Sequence, residues 1–304
     1  MRTIRPIAVS FVVLIFATVF VAAQAVPDQI RMTTPNAPWT IVIDGKKLEI
    51  RDVQTKPDEK SAYFLLYDGA GDITVSFFIE PADKCRSSEE CRDYVLNLGN
   101  PAWGKFQDLA KGKIADFSYF EFFRPEVLGQ PLRMFDVYAQ YVANGYWVDL
   151  HISKPQYKKE DRVTFENLIK VVNFVSKTAT PTDGVDQLLG KIEKTTANWL
   201  QLWDAAKCRE SYVALSSMSR AAVGETDWVP YCETTHKALG KPKSRKLILI
   251  SFIKSLRGKG ADHSGAKLGY QSVFEKGNVL EVVPLTLEKN GNWTVSSYLP
   301  QFGK

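Results

Sequence analysis

A chain of 304 residues with 45% hydrophobic and 24% charged side chains has ordinary globular composition and enough length for about two domains. A mean hydropathy of −0.18 excludes a polytopic membrane protein. The formal charge is +5, of which Arg2 and Arg5 stand at the extreme N-terminus, and the remaining +3 is too weak to argue for a nucleic-acid partner.

Residues 1–25 read as a secretory signal peptide. Arg2 and Arg5 form its charged start, 7–22 is apolar apart from Ser10 and Thr18, and Ala23-Gln24-Ala25 fits small-x-small cleavage after Ala25. The apolar run is long enough that a retained membrane anchor is the alternative. No cysteine near the cleavage site offers a lipid attachment point, and no later run could span a bilayer. The chain is therefore expected in the periplasm or outside the cell, with no transmembrane segment once the signal is removed.

The cysteines are Cys85, Cys91, Cys208 and Cys232. An even count in an exported chain favours disulfides. Pairing Cys85 with Cys91 and Cys208 with Cys232 keeps each bond inside one unit. The rival is a reduced metal site, but neither a C-x-x-C pair nor a nearby His-x-His supports one.

The first unit is expected over 26–177. Ile73, Val75, Phe77 and Ile79 alternate with polar residues, which is the pattern of a half-buried strand, and 62–67 should pair with it across Asp68-Gly69-Ala70-Gly71. A helix is expected over 87–98 and a strand over 114–123. Asn144-Gly145 calls for a two-residue type I′ hairpin. That turn places Ala143 opposite Tyr146, Tyr141 opposite Val148, Ala139 opposite Leu150 and Val137 opposite Ile152, all on one core-facing side. The other side sets Tyr138 opposite His151 and Gln140 opposite Asp149, with Trp147 nearby. This acid, imidazole and aromatic group is a candidate surface site; a solvated sheet face with cross-strand pairs is the plainer reading. Phe165, Leu168, Ile169 and Val172 make the stripe of a closing helix over 160–175.

An aromatic strand, the Asn-Gly hairpin, Trp147-Val148-Asp149-Leu150-His151-Ile152-Ser153, and a closing helix through Phe165, Leu168 and Phe174 together resemble the PsbP-like fold of small exported binding and assembly proteins. The resemblance covers 36–176. It implies a fold but no shared enzymatic residues.

Residues 178–184 carry small polar side chains, a proline and a glycine, as a solvated linker does. A second unit is expected over 185–304. Leu188, Leu189, Ile192, Trp199, Leu202 and Trp203 line an amphipathic helix, and Cys208, Tyr212, Leu215 and Met218 continue a stripe. A third helix is expected over 227–239, stopped by Gly240, then strands over 246–253, 268–275, 279–287 and 293–298. Pro284 marks an edge or a bulge. Trp199 with Asp204, Tyr212, Trp228, Leu239-Gly240, Arg245, Gly269-Tyr270, Glu281, Gly291-x-Trp293-x-Val295 and Tyr298 follow in an order similar to the bacterial exported family DUF4019. That resemblance implies a cystatin-like or NTF2-like cone and brings no activity with it. Ser297 stands where the family tends to have glycine.

The chemistry is sparse. Histidines occur only at His151, His236 and His263. Asp262-His263-Ser264 imitates a triad, but consecutive residues cannot place the base between its partners. The segment 260–267 lacks the Gly-Lys-Ser/Thr ending of a phosphate loop. No metal-ligand spacing and no cofactor motif is present. Lys241, Lys243, Arg245 and Lys246 form the densest basic segment, a candidate contact for an anionic envelope surface or simply a solvated loop. Trp199, Trp203, Trp228, Tyr270 and Trp293 could wall a pocket in the cone for a small apolar ligand, although aromatics at such spacings also build cores.

The expected fold is α+β, with two domains that are each an antiparallel sheet packed with helices. The expected function is a non-enzymatic exported bacterial protein, a binding or envelope-assembly module with an unknown protein partner or envelope component and no nucleic acid. The alternatives are a carrier or sensor of a small apolar ligand in the C-terminal cone, and a hydrolase with an unrecognised site.

Overall fold

The computed structural model describes residues 29–44, 48–56, 60–99, 104–127, 129–177, 184–253 and 264–302. The expected signal peptide, most of the expected linker, and Asp262 and His263 lie outside the described residues. The fold is α+β, with two antiparallel sheets packed with helices.

The described residues open with two short strands, β1 (Gln29–Met32) and β2 (Trp39–Asp44), followed by β3 (Glu49–Thr55). Next come β4 (Ala62–Asp68) and β5 (Ile73–Pro81), paired from Asp68–Ile73 outward across the expected turn. Helix α1 (Ser88–Leu98) starts where the Ser87 hydroxyl accepts the Glu90 amide, and stops at Gly99, whose φ of 65° few other residues adopt.

One expected strand, over 114–123, is two strands, β6 (Gln107–Ile114) and β7 (Phe117–Arg124). They turn back on each other at Ala115-Asp116, where Ala115 takes φ 50° without a glycine or asparagine to advertise it. The hairpin of β8 (Met134–Ala143) and β9 (Tyr146–Lys154) has the expected register throughout, closed by Asn144 at φ 52° and Gly145 at φ 76°. The closing helix is shorter than expected. Helix α2 (Arg162–Lys170) ends near Val171, and β10 (Val172–Ser176) follows as a strand on β2. Val172 is buried in the strand as it would be in a helix, so the stripe alone does not separate the two conformations.

The second half begins with α3 (Gly184–Asp204), α4 (Cys208–Val213), α5 (Ser217–Ala222) and α6 (Glu225–Leu239). Met218 does not continue a buried stripe; it is 43% exposed on α5. Strands β11 (Pro242–Ile253), β12 (Gly265–Phe274) and β13 (Gly277–Leu287) form a meander, and β14 (Trp293–Val295) and β15 (Leu299–Phe302) share one edge of β13. Pro284 sits where the partner of β13 changes from β15, which ends its pairing at Val282, to β14, which starts at Leu285. Its missing amide therefore costs no ladder bond at that break.

One sheet runs β3-β4-β5-β9-β8-β7-β6. The other runs β10-β2-β1-β11-β12-β13-β14, with β15 beside β13, so it takes three strands from before residue 177 and five from after residue 241. The seam is β1, whose Ile30, Arg31 and Met32 pair with Ile43, Val42 and Ile41 on one side and with Ser251, Ile250 and Leu249 on the other. A bulge in β11 between Leu247 and Leu249 divides its side chains between two cores. Ile248 and Leu249 pack with Phe64, Phe77, Val148 and Phe165 of the first half, whereas Ile250 and Phe252 pack with Trp199, Leu268 and Trp293 of the second. The first core is thus completed by residues of the second half, which the linker composition did not foretell.

Both cysteine pairs are bonded, Cys85 to Cys91 at the foot of α1 and Cys208 to Cys232 between α4 and α6. Among the described residues no helix is long and apolar enough to cross a membrane.

Candidate functional site

All five residues of the candidate surface site lie together on the outer face of the seven-stranded sheet. The alternation that sends Val137, Ala139, Val148 and Leu150 into the core turns Asp136, Tyr138, Gln140, Trp147, Asp149 and His151 outward. Helix α1 covers this face over β7 and β8. Its Tyr94 and Val95 close over Trp147 and Val142, and Val95 and Leu96 close over Phe120, Phe122 and Tyr138. Beyond the helix, over β9, β5 and β4, the side chains of His151, Asp149, Ser76, Phe78, Tyr63 and Leu65 are half-buried.

Two hydrogen-bond chains organise the face. Arg124 forks onto Asp136, donating Nε to Oδ2 at 2.7 Å and Nη2 to Oδ1 at 3.0 Å. His151 Nε2 meets the same Oδ1 at 2.9 Å. Because an arginine-paired carboxylate only accepts, His151 Nε2 carries the proton of this bond. Sequence reading did not place Arg124 or Asp136 here, though the hairpin register set Asp136 one step from His151 on the same face. In the second chain the Trp147 indole donates to Gln140 Oε1 at 2.5 Å, and Gln140 Nε2 donates to Asp149 Oδ1 at 2.7 Å. An indole N–H can only donate, so it settles which way the Gln140 amide points. Burial pushes the Asp149 carboxyl above the usual aspartate range, against the opposing pull of the Gln140 hydrogen bond and of His151.

The candidate cone residues are all buried in the second core. Trp199 lies 5.5 Å from Trp203 and 6.2 Å from Trp228 between ring centroids, and Trp203 lies 5.8 Å from Trp228 and 4.3 Å from Tyr298. Their polar ends are also taken: Trp199 Nε1 donates to the Ser211 carbonyl and Trp228 Nε1 to the Ser211 hydroxyl, each at 3.0 Å. These rings pack on one another, as a core does. Tyr270 and Trp293 stand on β12 and β14 in the same core; burial first, and then the Glu193 charge, raises the Tyr270 phenol.

Arg245 is not available to an anionic surface. Its Nη1 and Nη2 donate to the two oxygens of Asp204 at 2.8 and 3.0 Å, and its Nε and Nη2 donate to Glu281 at 2.6 and 2.8 Å. Glu281, 0% exposed, also accepts the Tyr298 hydroxyl at 2.6 Å and the Ser272 hydroxyl. Burial opposes the arginine's charge, but the Glu281 and Asp204 hydrogen bonds outweigh it and hold the guanidinium more firmly protonated than usual. The side chain points this way because Tyr270 pairs with Glu281 in register while the end of α3 brings Asp204 above the sheet. Of the basic segment, Lys241 and Lys243 are exposed and Lys246 is half-buried.

Among the described residues, concave places that belong to neither group include the following two. A cavity of about 180 Å³ at the junction of the halves is bounded by Arg31, Thr33, Lys177, Glu193 and 247–250. Burial lowers the Lys177 ammonium, whose Nζ donates to the Thr34 carbonyl at 2.7 Å. A groove of about 700 Å³ between α5 and the β13–β14 turn is lined by Val213, Met218, Arg220, Glu288 and Asn290.

Residues 195–298 match the model of a family described as a protein of unknown function, DUF4019. No curated protein matches the chain at a significant level. Among solved structures, the chain is similar to a PsbP protein (CyanoP) from Synechocystis at 9% identity and a TM-score of 0.34, covering 49% of this chain and 94% of that one. It is similar to a protein from Bacteroides thetaiotaomicron at 8% identity and a TM-score of 0.37, covering 83% and 84%. It is also similar to LpqN, involved in cell envelope biogenesis of Mycobacterium tuberculosis, at 9% identity and a TM-score of 0.24, covering 49% and 85%.

Proposed function

We propose that this chain is a non-catalytic, exported bacterial module that engages a protein partner or an envelope component through the outer face of its seven-stranded sheet. The observation that carries this reading is the half-buried stretch from His151 across Ser76 and Phe78 to Tyr63 and Leu65, which lies beyond α1 while α1 covers the same face over β7 and β8. Polar groups there are held in position by hydrogen bonds to buried Asp136 and Gln140, so the surface is pre-organised. Two disulfides and a leader of signal-peptide character favour an oxidising compartment, the periplasm or the exterior.

The carrier reading draws less support, because the candidate cone rings fill their own interior. The hydrolase reading would need Ser76, opposite His151 in register, to give its proton to that imidazole; its hydroxyl instead meets the Tyr63 hydroxyl.

The test places a photo-crosslinking residue at Phe78 and, as control, at exposed Lys191 on α3, in the exporting cell. Adducts of discrete mass from position 78 and none from 191 are expected. Absence of adducts at 78 counts against the reading. So does turnover of an ester, glycoside or peptide panel that disappears in Ser76→Ala and His151→Ala.

A further inference from the structure

A cavity of about 180 Å³ lies where the two halves meet, and strand parity decides what lines it. Ile30 and Met32 of β1 and Ile41 and Ile43 of β2 enter the first core, so Arg31, Thr33 and Thr40 turn to the opposite face of the eight-stranded sheet. Helix α3 borders the cavity on that face with Leu189 and Glu193, which are four residues apart and so on one side of the helix. Leu247 and Ile250 of β11 supply more apolar wall, and Lys177, just after β10, completes the rim.

The wall is apolar and the mouth is charged. Leu189 and Ile250 are buried, whereas Lys177 and Glu193 are exposed and Arg31 is half-buried. The charges are unevenly answered. Arg31 gives Nε to Gln29 at 2.6 Å, and its charge stands against that of Glu193. Lys177 has only carbonyls. Its Nζ donates to the Thr34 oxygen at 2.7 Å and to the Pro35 oxygen at 3.2 Å, and no carboxylate among the described residues pairs with it. Two of its three hydrogens are thereby placed, and the third is left for an acceptor. Thr40 adds a hydroxyl with no partner among the described residues.

A carboxylate suits an ammonium that already carries two carbonyls, because it brings the missing negative charge as well as an acceptor. A tail without polar atoms suits Leu189, Leu247 and Ile250, since a hydroxyl or amine among them would lose water and gain no partner. At liquid density the cavity would hold about six waters, so a ligand of roughly six to eight non-hydrogen atoms fills it. Glu193 opposes an anion at this mouth, and Arg31 offsets part of that opposition.

We infer that the cavity between the halves binds a short alkyl monocarboxylate, its carboxylate on Lys177 and Thr40 and its tail against Leu189, Leu247 and Ile250. The site is separate from the outer face of the seven-stranded sheet and joins residues of both halves.

The test is a titration of the full chain with pentanoate at low salt, followed by ¹⁵N–¹H NMR on the backbone amides of Arg31, Lys177 and Ile250. A saturable shift of these amides is expected. Pentylamine, with the opposite charge, and acetate, with the charge but no tail, should each bind at least tenfold more weakly. Lys177→Met keeps the stem, removes the charge and should weaken pentanoate at least tenfold, whereas Lys177→Arg should keep most of the affinity. Glu193→Gln should strengthen pentanoate about threefold by removing the opposing charge. Leu247→Trp fills the cavity without touching the charges and should abolish the shift. The inference is overturned by no saturable shift, by pentylamine or acetate binding as tightly as pentanoate, or by undiminished binding to a Lys177→Met or Leu247→Trp protein whose spectrum shows it folded. Tighter binding of N-acetyl-Ala-Val than of pentanoate would also overturn it, because the carboxylate recognised would then be a chain end rather than a free acid. Crosslinking from position 78 and pentanoate binding report on different faces, so either can fail while the other stands.

Discussion

Replacing Arg245 with alanine should destabilise the protein by about 3 kcal/mol, the lower end of what removing one partner of a buried ion pair costs. The lower end applies for two reasons visible in the structure. Asp204 is 26% exposed and can rehydrate, and Glu281, though fully buried, keeps the Tyr298 and Ser272 hydroxyls as donors. What is lost is four charge-assisted hydrogen bonds and a guanidinium that ties the end of α3 to the middle of the sheet. Denaturant unfolding followed by tryptophan fluorescence measures this, since the indoles of the second core sit beside the network. The midpoint should fall with little change in slope. A double-mutant cycle with Glu281→Gln then isolates the pair, and a coupling of about 2 kcal/mol is expected. A loss under about 1 kcal/mol, or additive single changes, would show that the network is ornamental and that packing alone holds α3 in place.

Three further outcomes follow from the same geometry. Asp149→Asn keeps the Gln140 bond while removing a carboxyl that burial has raised. In the wild type the folded state holds the Asp149 proton above the unfolded value of about 3.9, so stability falls as pH rises through that window. The asparagine variant should therefore be the more stable at pH 7.5 and show no advantage at pH 4; an advantage that is constant with pH would contradict the assignment. Met32→Ala, at a fully buried position of the seam strand, should cost about 2–5 kcal/mol and shift the fluorescence and far-ultraviolet transitions together. Separate transitions would mean that the halves unfold independently. Cys232→Ser with Cys208→Ser opens a loop of sequence separation 24 and should cost about 3.5 kcal/mol on the chain-entropy account, checked by the same denaturation.

How far the sequence could be read depended on whether the deciding interaction was local. Asn144-Gly145 needs only its own backbone preferences, and with the turn settled the register of Tyr138, Gln140, Asp149 and His151 followed. The strand of Ile73, Val75, Phe77 and Ile79 was equally plain, because its alternation spans enough residues to exclude a helix. The segment after Lys170 was not plain: Val172 is buried under either geometry, and only pairing with β2, more than a hundred residues earlier, makes it a strand. The four residues of β1 have too little pattern to declare themselves; their neighbours on both sides decide them. Arg245 misled for a related reason. It stands in a run of cations, yet strand parity sends it to the face opposite Lys246, where acids from α3 and β13 are waiting. Parity was available in the sequence, but the bulges of β11 blur it. The imidazole site was half visible: its five residues were found, while Arg124 at the end of β7, one residue past the expected strand, and Asp136 on β8, which hold it in place, were not assigned to it.

The position of β1 also has a consequence in time. Ile30 finds its partner Ser251 only after about 220 further residues have been delivered, and contacts of such separation close slowly. Until then the strands around β1 present unpaired amides to whatever else is in the compartment. A chain exported N-terminus first would depend on an escort or on speed during that interval. A fragment cut at the limits of the family match, 195–298, would lack β1 altogether and expose the outer edge of β11 permanently. Such a fragment should associate or aggregate unless a strand like Gln29–Met32 is supplied to it.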